Sequence, residues 1–224
     1  MSDGEQTDGD SANTDRPKTG LNDPRALQIL TTEHWSLLST RTLGYQEMLG
    51  RATIFMAALS GTIVALAFLA QATHFGPEIL PLALALISVA LLIGIATFVR
   101  SVAINSEDAR WVTGMNLLRR AYLQIVPELA PFFVTGHEPE ADRPSLSHGS
   151  RQRLVNLANS LTTTSSVVAV LNSVLIGALA SDVSALLGAD VTRAVVVGAS
   201  VSIVSGLAHV WYAAHFRQGH APAP

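Results

Sequence analysis

The chain contains no cysteine. That absence excludes disulfides, thiolate metal sites and a cysteine nucleophile, and it leaves the redox compartment unreadable. Lysine is almost missing too, since Lys18 is the only one and arginine supplies nearly all the positive charge. Charged residues make up 14% of the 224 residues. A soluble domain carries about a quarter, so the shortfall points to burial in lipid. A net charge of -3 argues against an electrostatic nucleic-acid binder. No basic segment followed by an apolar core opens the sequence; Met1 to Asp23 is acidic and polar. Residues 1–30 read as a disordered cytosolic tail. No Gly-rich phosphate loop, Ser/His/Asp arrangement or HExxH pair occurs, so neither an enzyme nor a cofactor is expected.

What is present is apolar sequence in four stretches: Ala52–Ala72, Ile79–Val99, Thr162–Ala180 and Val191–His209. Each approaches the roughly 20 residues needed to cross a hydrocarbon core. None holds an Asp, Glu, Lys or Arg at depth, since Arg193 sits at the outer end of the last stretch. Ion and proton pathways usually contain such groups, which disfavours a proton-coupled transporter or a voltage sensor. Arg41, Arg51, Arg100, Arg110, Arg119, Arg120, Arg151, Arg153 and Arg217 all fall on one side of a four-span arrangement. The positive-inside rule then places both termini in the cytoplasm, at the plasma membrane. The expected fold is an all-α integral membrane protein: four transmembrane helices in two antiparallel hairpins, plus a cytosolic helical stalk.

Taken in order, residues 31–126 form the first hairpin with its cytosolic extensions. Thr31 or Thr32 is a candidate cap, and Leu38, Thr42, Tyr45 and Leu49 form an amphipathic stripe ahead of the first span. Gly76-Pro77 marks the turn. Mirroring the spans about it sets Arg51 opposite Arg100, Ala57 opposite Gly94 and Gly61 opposite Ala90. Past the second span, Trp111, Met115, Leu118, Tyr122 and Ile125 recur at helical spacing until Pro127 and Pro131 stop them. Whether the second span runs unbroken into this stripe, or a capped helix starts at Asn105–Asp108, stays open. The stripe is a candidate partner surface, or else packs on its own stalk with Trp111 near Arg41. Residues 127–150 form a loop, residues 151–217 the second hairpin and residues 218–224 a tail. Helix resumes near Arg151, with Leu154, Leu157 and Leu161 as a short stripe.

The second hairpin carries two rows of small residues spaced four apart, hence on one helix face. They are Ser165, Ala169, Ser173 and Gly177, and Ala194, Gly198, Ser202 and Gly206. Such faces let helix backbones approach closely in lipid. Folded about the segment Ser181–Asp190, they pair as Gly177/Ala194, Ser173/Gly198, Ala169/Ser202 and Ser165/Gly206. The crossing expected of two such rows is right-handed, near -40°. A homo-oligomer contact is the second reading. Asn172 is the strongest polar side chain at mid-depth, either a pore-lining amide or an interhelical hydrogen-bonding group. His209 could titrate near neutrality at the inner interface. His137, Glu138, Glu140 and Asp142 lack a recognised metal spacing, so no metal site is expected there. Glu78, Asp182 and Asp190 fall in the outer loops as solvated acids or an acidic mouth.

Two runs bear a family likeness. Thr-Glu-His-Trp-Ser-Leu-Leu-Ser-Thr-Arg at Thr32–Arg41 and Asp-Ala-Arg-Trp-Val-Thr-Gly-Met-Asn-Leu-Leu-Arg at Asp108–Arg119 are followed by the Pro127–Gly136 segment. Together they resemble uncharacterised multi-pass membrane proteins of actinobacteria, over about Thr31 to Gly136. That resemblance implies architecture and brings no catalytic residue. The layout of cytosolic helix plus hairpin is loosely similar to SLATT-type membrane effectors of bacterial conflict systems, which have two spans rather than four. The function expected is a non-enzymatic membrane scaffold or anchor, embedded in the lipid bilayer, whose stalk meets itself or a cytosolic protein. The alternatives are an oligomeric pore or membrane-perturbing effector and, last, a small-molecule transporter, which lacks the broken, charge-bearing helices expected of one.

Overall fold

The computed structural model describes residues 21, 23–74, 76, 78–133 and 163–218. The acidic tail before residue 21, the Pro77 half of the turn, His137, Glu138, Glu140 and Asp142, the Leu154–Leu161 stripe and residues 219–224 lie outside them. Every regular element among the described residues is helical. These are α1 (Pro24–Ala72), α2 (Ile79–Ile125), a 3-10 turn (Pro127–Phe132), α3 (Thr164–Leu186) and α4 (Val191–Gln218). The four α-helices are long and apolar enough to cross a membrane. Ile63, Phe68, Leu92, Val195, Ile203 and Leu207 lie exposed along them. Apolar exposure on that scale is foreign to a soluble monomer.

The ends of each helix follow from local chemistry, and several depart from the sequence reading. α1 starts at Pro24, not at Thr32. The Asp23 carboxylate accepts from the Arg25 amide at 2.9 Å, and Pro24 has no amide proton to lose. Thr31 and Thr32 are therefore inside the helix, donating back to the carbonyls of Leu27 and Gln28. α2 runs unbroken through Asn105–Asp108 and ends just before Pro127. α3 is capped by Thr163, whose side chain accepts from the Ser166 amide. It then continues past Ala180 to Leu186, so Asp182 belongs to the helix and not to an outer loop. The chain reverses at Gly188, whose φ of +86° suits a residue without Cβ. Asp190 then accepts from the Arg193 amide at 3.0 Å to start α4.

The chain divides into two compact units, each described by itself. One comprises Met1–Ser39 and Val112–Arg143. Within it Leu37 packs on Gly114, the His34 and Tyr122 rings tilt together with centroids 6.0 Å apart, and Met115 is buried. Leu118, Tyr122 and Ile125 are half-buried, so the stripe is largely turned inward, as the reading in which it packs on its own stalk expects. Burial, and after it the Arg119 charge, pushes the His34 pKa below the usual histidine value.

The other unit comprises Thr40–Trp111 and Pro144–Pro224. Its core gathers Phe55 from α1, Ala83, Ile87, Ala90, Phe98 and Val102 from α2, and Val168 and Leu175 from α3. Tyr212, Ala213 and Phe216 of α4 pack against them. All four helices thus contribute to one apolar interior.

Candidate functional site

The small-residue rows of α3 and α4 do meet, one to two turns away from the pairing the spacing predicts. A Cβ built on Gly177 would stand 2.6 Å from the Gly198 carbonyl oxygen and 2.8 Å from the Ser202 Cβ. One built on Gly198 would stand 2.7 Å from the Gly177 carbonyl oxygen and 3.0 Å from the Ser181 Cβ. Gly177 therefore faces Gly198 and Ser202, not Ala194. The cause is the extra helix beyond Ala180, which moves the point of reversal to Gly188 and slides α4 along α3. Ala194 is buried all the same, and Gly206 stands opposite Ser173. At Gly206 the contact has relaxed, since its Cβ would lie 3.7 Å from the Ser173 hydroxyl. The two helices touch backbone to backbone near their loop and loosen away from it.

α3 presents a second face to α2. Asn105 donates to the Ser165 hydroxyl at 2.8 Å. Farther along, the Asn172 amide lies directly against Gly94, beside the Phe55 ring. A Cβ on Gly94 would collide with the Asn172 oxygen, so glycine makes room for the amide. Asn172 is fully buried, and neither its oxygen nor its nitrogen finds a hydrogen-bond partner among the described residues. The Ser101 hydroxyl is likewise buried and unpartnered there. Leaving such groups unmet costs about 1–3 kcal/mol each. Gly94, Phe98, Ser101 and Asn105 recur at four, three and four residues, a helix-face signal in α2 that sequence reasoning passed over. Gly94, expected opposite Ala57, meets Phe55 of α1 and Asn172 of α3, while nothing lies within 4 Å of a Cβ built on Gly61, expected opposite Ala90.

Between α2, α3 and α4, on the loosened side of the glycine contact, lies a cavity of about 620 Å³. Asn105, Thr163, Ser165 and Ser166 line one end, while Phe98, Val102, Val170, Val174 and Gly206 form apolar wall. His209 also lines it, its ring edge-on to Phe98 with centroids 4.6 Å apart. The His209 Nδ1 lies 2.8 Å from the Ser205 carbonyl, which can only accept, so Nδ1 carries the proton. Ser173 spends its hydroxyl on the Ala169 carbonyl at 2.7 Å. Among the described residues the lining offers hydroxyls, an amide and an imidazole, and no carboxylate, ammonium or guanidinium. It suits binding of an uncharged molecule. Asn172 is not part of this lining.

α1 and α2 meet through charge. Arg41 binds Asp108, and Tyr45 donates to the same carboxylate at 3.2 Å. Glu47 receives Arg100 at 2.8 Å and Arg51 at 2.9 Å, so the two arginines expected to oppose one another share one acid. Hydrogen bonds from Arg100, then from Arg51, hold the Glu47 carboxyl down at about 2. The Trp111 ring lies over Gly44, where a Cβ would stand 2.9 Å from it. Gly44 and Met48 are thus the buried positions. Leu38, Tyr45 and Leu49, read as the buried stripe, remain exposed. The glycine and the arginine pairing put Gly44 and Met48 against α2, while the Tyr45 hydroxyl reaches Asp108 from the exposed stripe.

No protein-family model, curated protein or solved structure matches this chain.

Proposed function

We propose that the protein is a non-enzymatic membrane scaffold or anchor in the plasma membrane. In this reading its four apolar helices form two antiparallel hairpins with both termini in the cytoplasm. The parts of α1 and α2 beyond their uncharged stretches form a cytosolic stalk that meets itself or a protein partner. The observation that carries the reading is helix length. α1 and α2 have 49 and 47 residues. At about 1.5 Å per residue each amounts to roughly 70 Å of helix, more than twice the roughly 30 Å of a hydrocarbon core. The excess holds the charge of both helices, as the Arg41–Asp108 and Glu47–Arg100 pairs illustrate.

A cysteine-free chain makes the arrangement directly testable. Leu187→Cys, at the exposed α3–α4 bend, is expected to react with an impermeant maleimide on intact cells. Leu117→Cys is expected to react only after permeabilisation, and the reverse pattern would refute the orientation. The purified protein is expected to be silent in planar bilayers. A cation current altered by Asn172→Ala would replace the scaffold reading with a pore.

A further inference from the structure

The glycine contact between α3 and α4 and the cavity beside it are parts of one arrangement. The helices are pinned where Gly177 meets Gly198, and by Gly206 they stand at ordinary contact distance. The cavity opens on that looser side, closed at its back by Phe98, Val102 and Asn105 of α2. Its volume of about 620 Å³ is mid-range for small-molecule sites, which run roughly 300–1,000 Å³.

We infer that this cavity binds a neutral amphiphile with a single hydrocarbon tail, taken laterally from the bilayer. Three observations fix the class of ligand. The first is the division of the wall: hydroxyls and an amide (Asn105, Thr163, Ser165, Ser166) cluster where α3 begins, and valines follow one turn apart at Val170 and Val174. A head that exchanges hydrogen bonds lies at the first group, and a tail lies along the second. The second is charge. Among the described residues the lining has no acid, lysine or arginine, and burying an ionic head without a counter-charge is strongly unfavourable. In its neutral form His209, with the proton on Nδ1, keeps Nε2 as an acceptor for a hydroxyl donor. The third is access. Val170, Val174 and Val210 line the cavity yet remain 56%, 57% and 66% exposed, so the wall opens sideways along the helices. This rests on the reading of α3 and α4 as membrane spans, which makes the medium at that opening lipid.

The test uses the full chain in phosphatidylcholine nanodiscs with a monoacylglycerol bearing a diazirine in its acyl tail, adducts being located by mass spectrometry. Saturable labelling at 170–174 and 206–210 is expected, displaced by monooleoylglycerol and not by the same concentration of oleate at high pH. Gly206→Leu, which puts a side chain into the cavity, should lower labelling about tenfold. Ala213 also lines the cavity, and Ala213→Phe should do the same, which guards against a single misfolded variant. Asn105→Leu combined with Ser165→Ala should weaken displacement by monooleoylglycerol about tenfold while leaving that by its head-blocked ether unchanged. Unsaturable labelling spread equally over Val195 and Ile203 would overturn the proposal alone, as would oleate competing as well as the neutral lipid. Failure of the chain to enter nanodiscs would overturn the span reading and the proposal with it.

Discussion

Where α1 meets α2, the contact that distinguishes them is made by charge: Arg41 on Asp108, and Glu47 between Arg100 and Arg51. Where α3 meets α4, it is made by missing side chains, Gly177 on Gly198. In the arrangement proposed above, the difference tracks the solvent each contact can reach. Beside water an ion pair keeps part of its hydration, and its energy is modest, while its geometry still sets the register. In lipid no hydrophobic force drives helices together, so dispersion between closely approaching backbones must supply the attraction. Each contact therefore fails to a different insult, which makes the comparison breakable.

The largest effect is expected from Gly177→Leu. Its Cβ would meet backbone, the Gly198 carbonyl at 2.6 Å, which cannot move aside as a flexible side chain can. Separation of α3 from α4 should cost about 3 kcal/mol, read from unfolding in mixed detergent. Gly61→Leu serves as the control, because nothing lies within 4 Å of its Cβ. It should change stability by less than about 0.5 kcal/mol. Equal effects at the two glycines would show that the α3–α4 approach contributes nothing.

Gly44→Ala is next. The obstacle there is a side chain, the Trp111 ring at 2.9 Å, so relief is available at the cost of displacing an aromatic. About 1–2 kcal/mol is expected, with most of it recovered in the Gly44→Ala/Trp111→Leu pair. Additive losses would mean that the ring does not rest on the glycine.

The existence of four apolar helices was legible because composition and uncharged length do not depend on packing. The closeness of Trp111 to the Arg41 turn was legible from a mirror count, since α1 and α2 reverse over a short bend. The α3–α4 register was not, because it depended on where α3 ends. Nothing between Ala180 and Leu186 stops a helix, and the six residues added there, with Gly188 as the reversal, shift the pairings by one to two turns. The cavity was hidden for a different reason. Its lining joins the middle of α2 to opposite ends of α3 and α4, and a single helix's periodicity does not say which neighbour a face meets. Ser165 illustrates this: counted only as a small residue facing α4, it accepts a hydrogen bond from Asn105 of α2.

The smallest effect is expected at Glu47, and its sign separates the charged contact from the glycine one. The Glu47 carboxyl falls from 4.5 in an open chain to about 2 in the folded protein. A depressed carboxyl stabilises the fold above its unfolded value, so the contribution is whole at neutral pH and is lost as pH falls from about 4.5 towards 2. Both Glu47 and Arg100 leave 35% of their side chains exposed, and water screens the pair. The worth of the network is therefore about 1 kcal/mol, not the larger figure the shift alone implies. Glu47→Gln should lower stability by that amount at pH 7 and flatten its dependence over this acid window. Arg100 keeps Glu107 at 3.3 Å, which bounds the loss. Gly177→Leu should instead lower stability by the same amount at pH 7 and pH 4, and a pH-dependent loss there would mean that the two contacts are coupled.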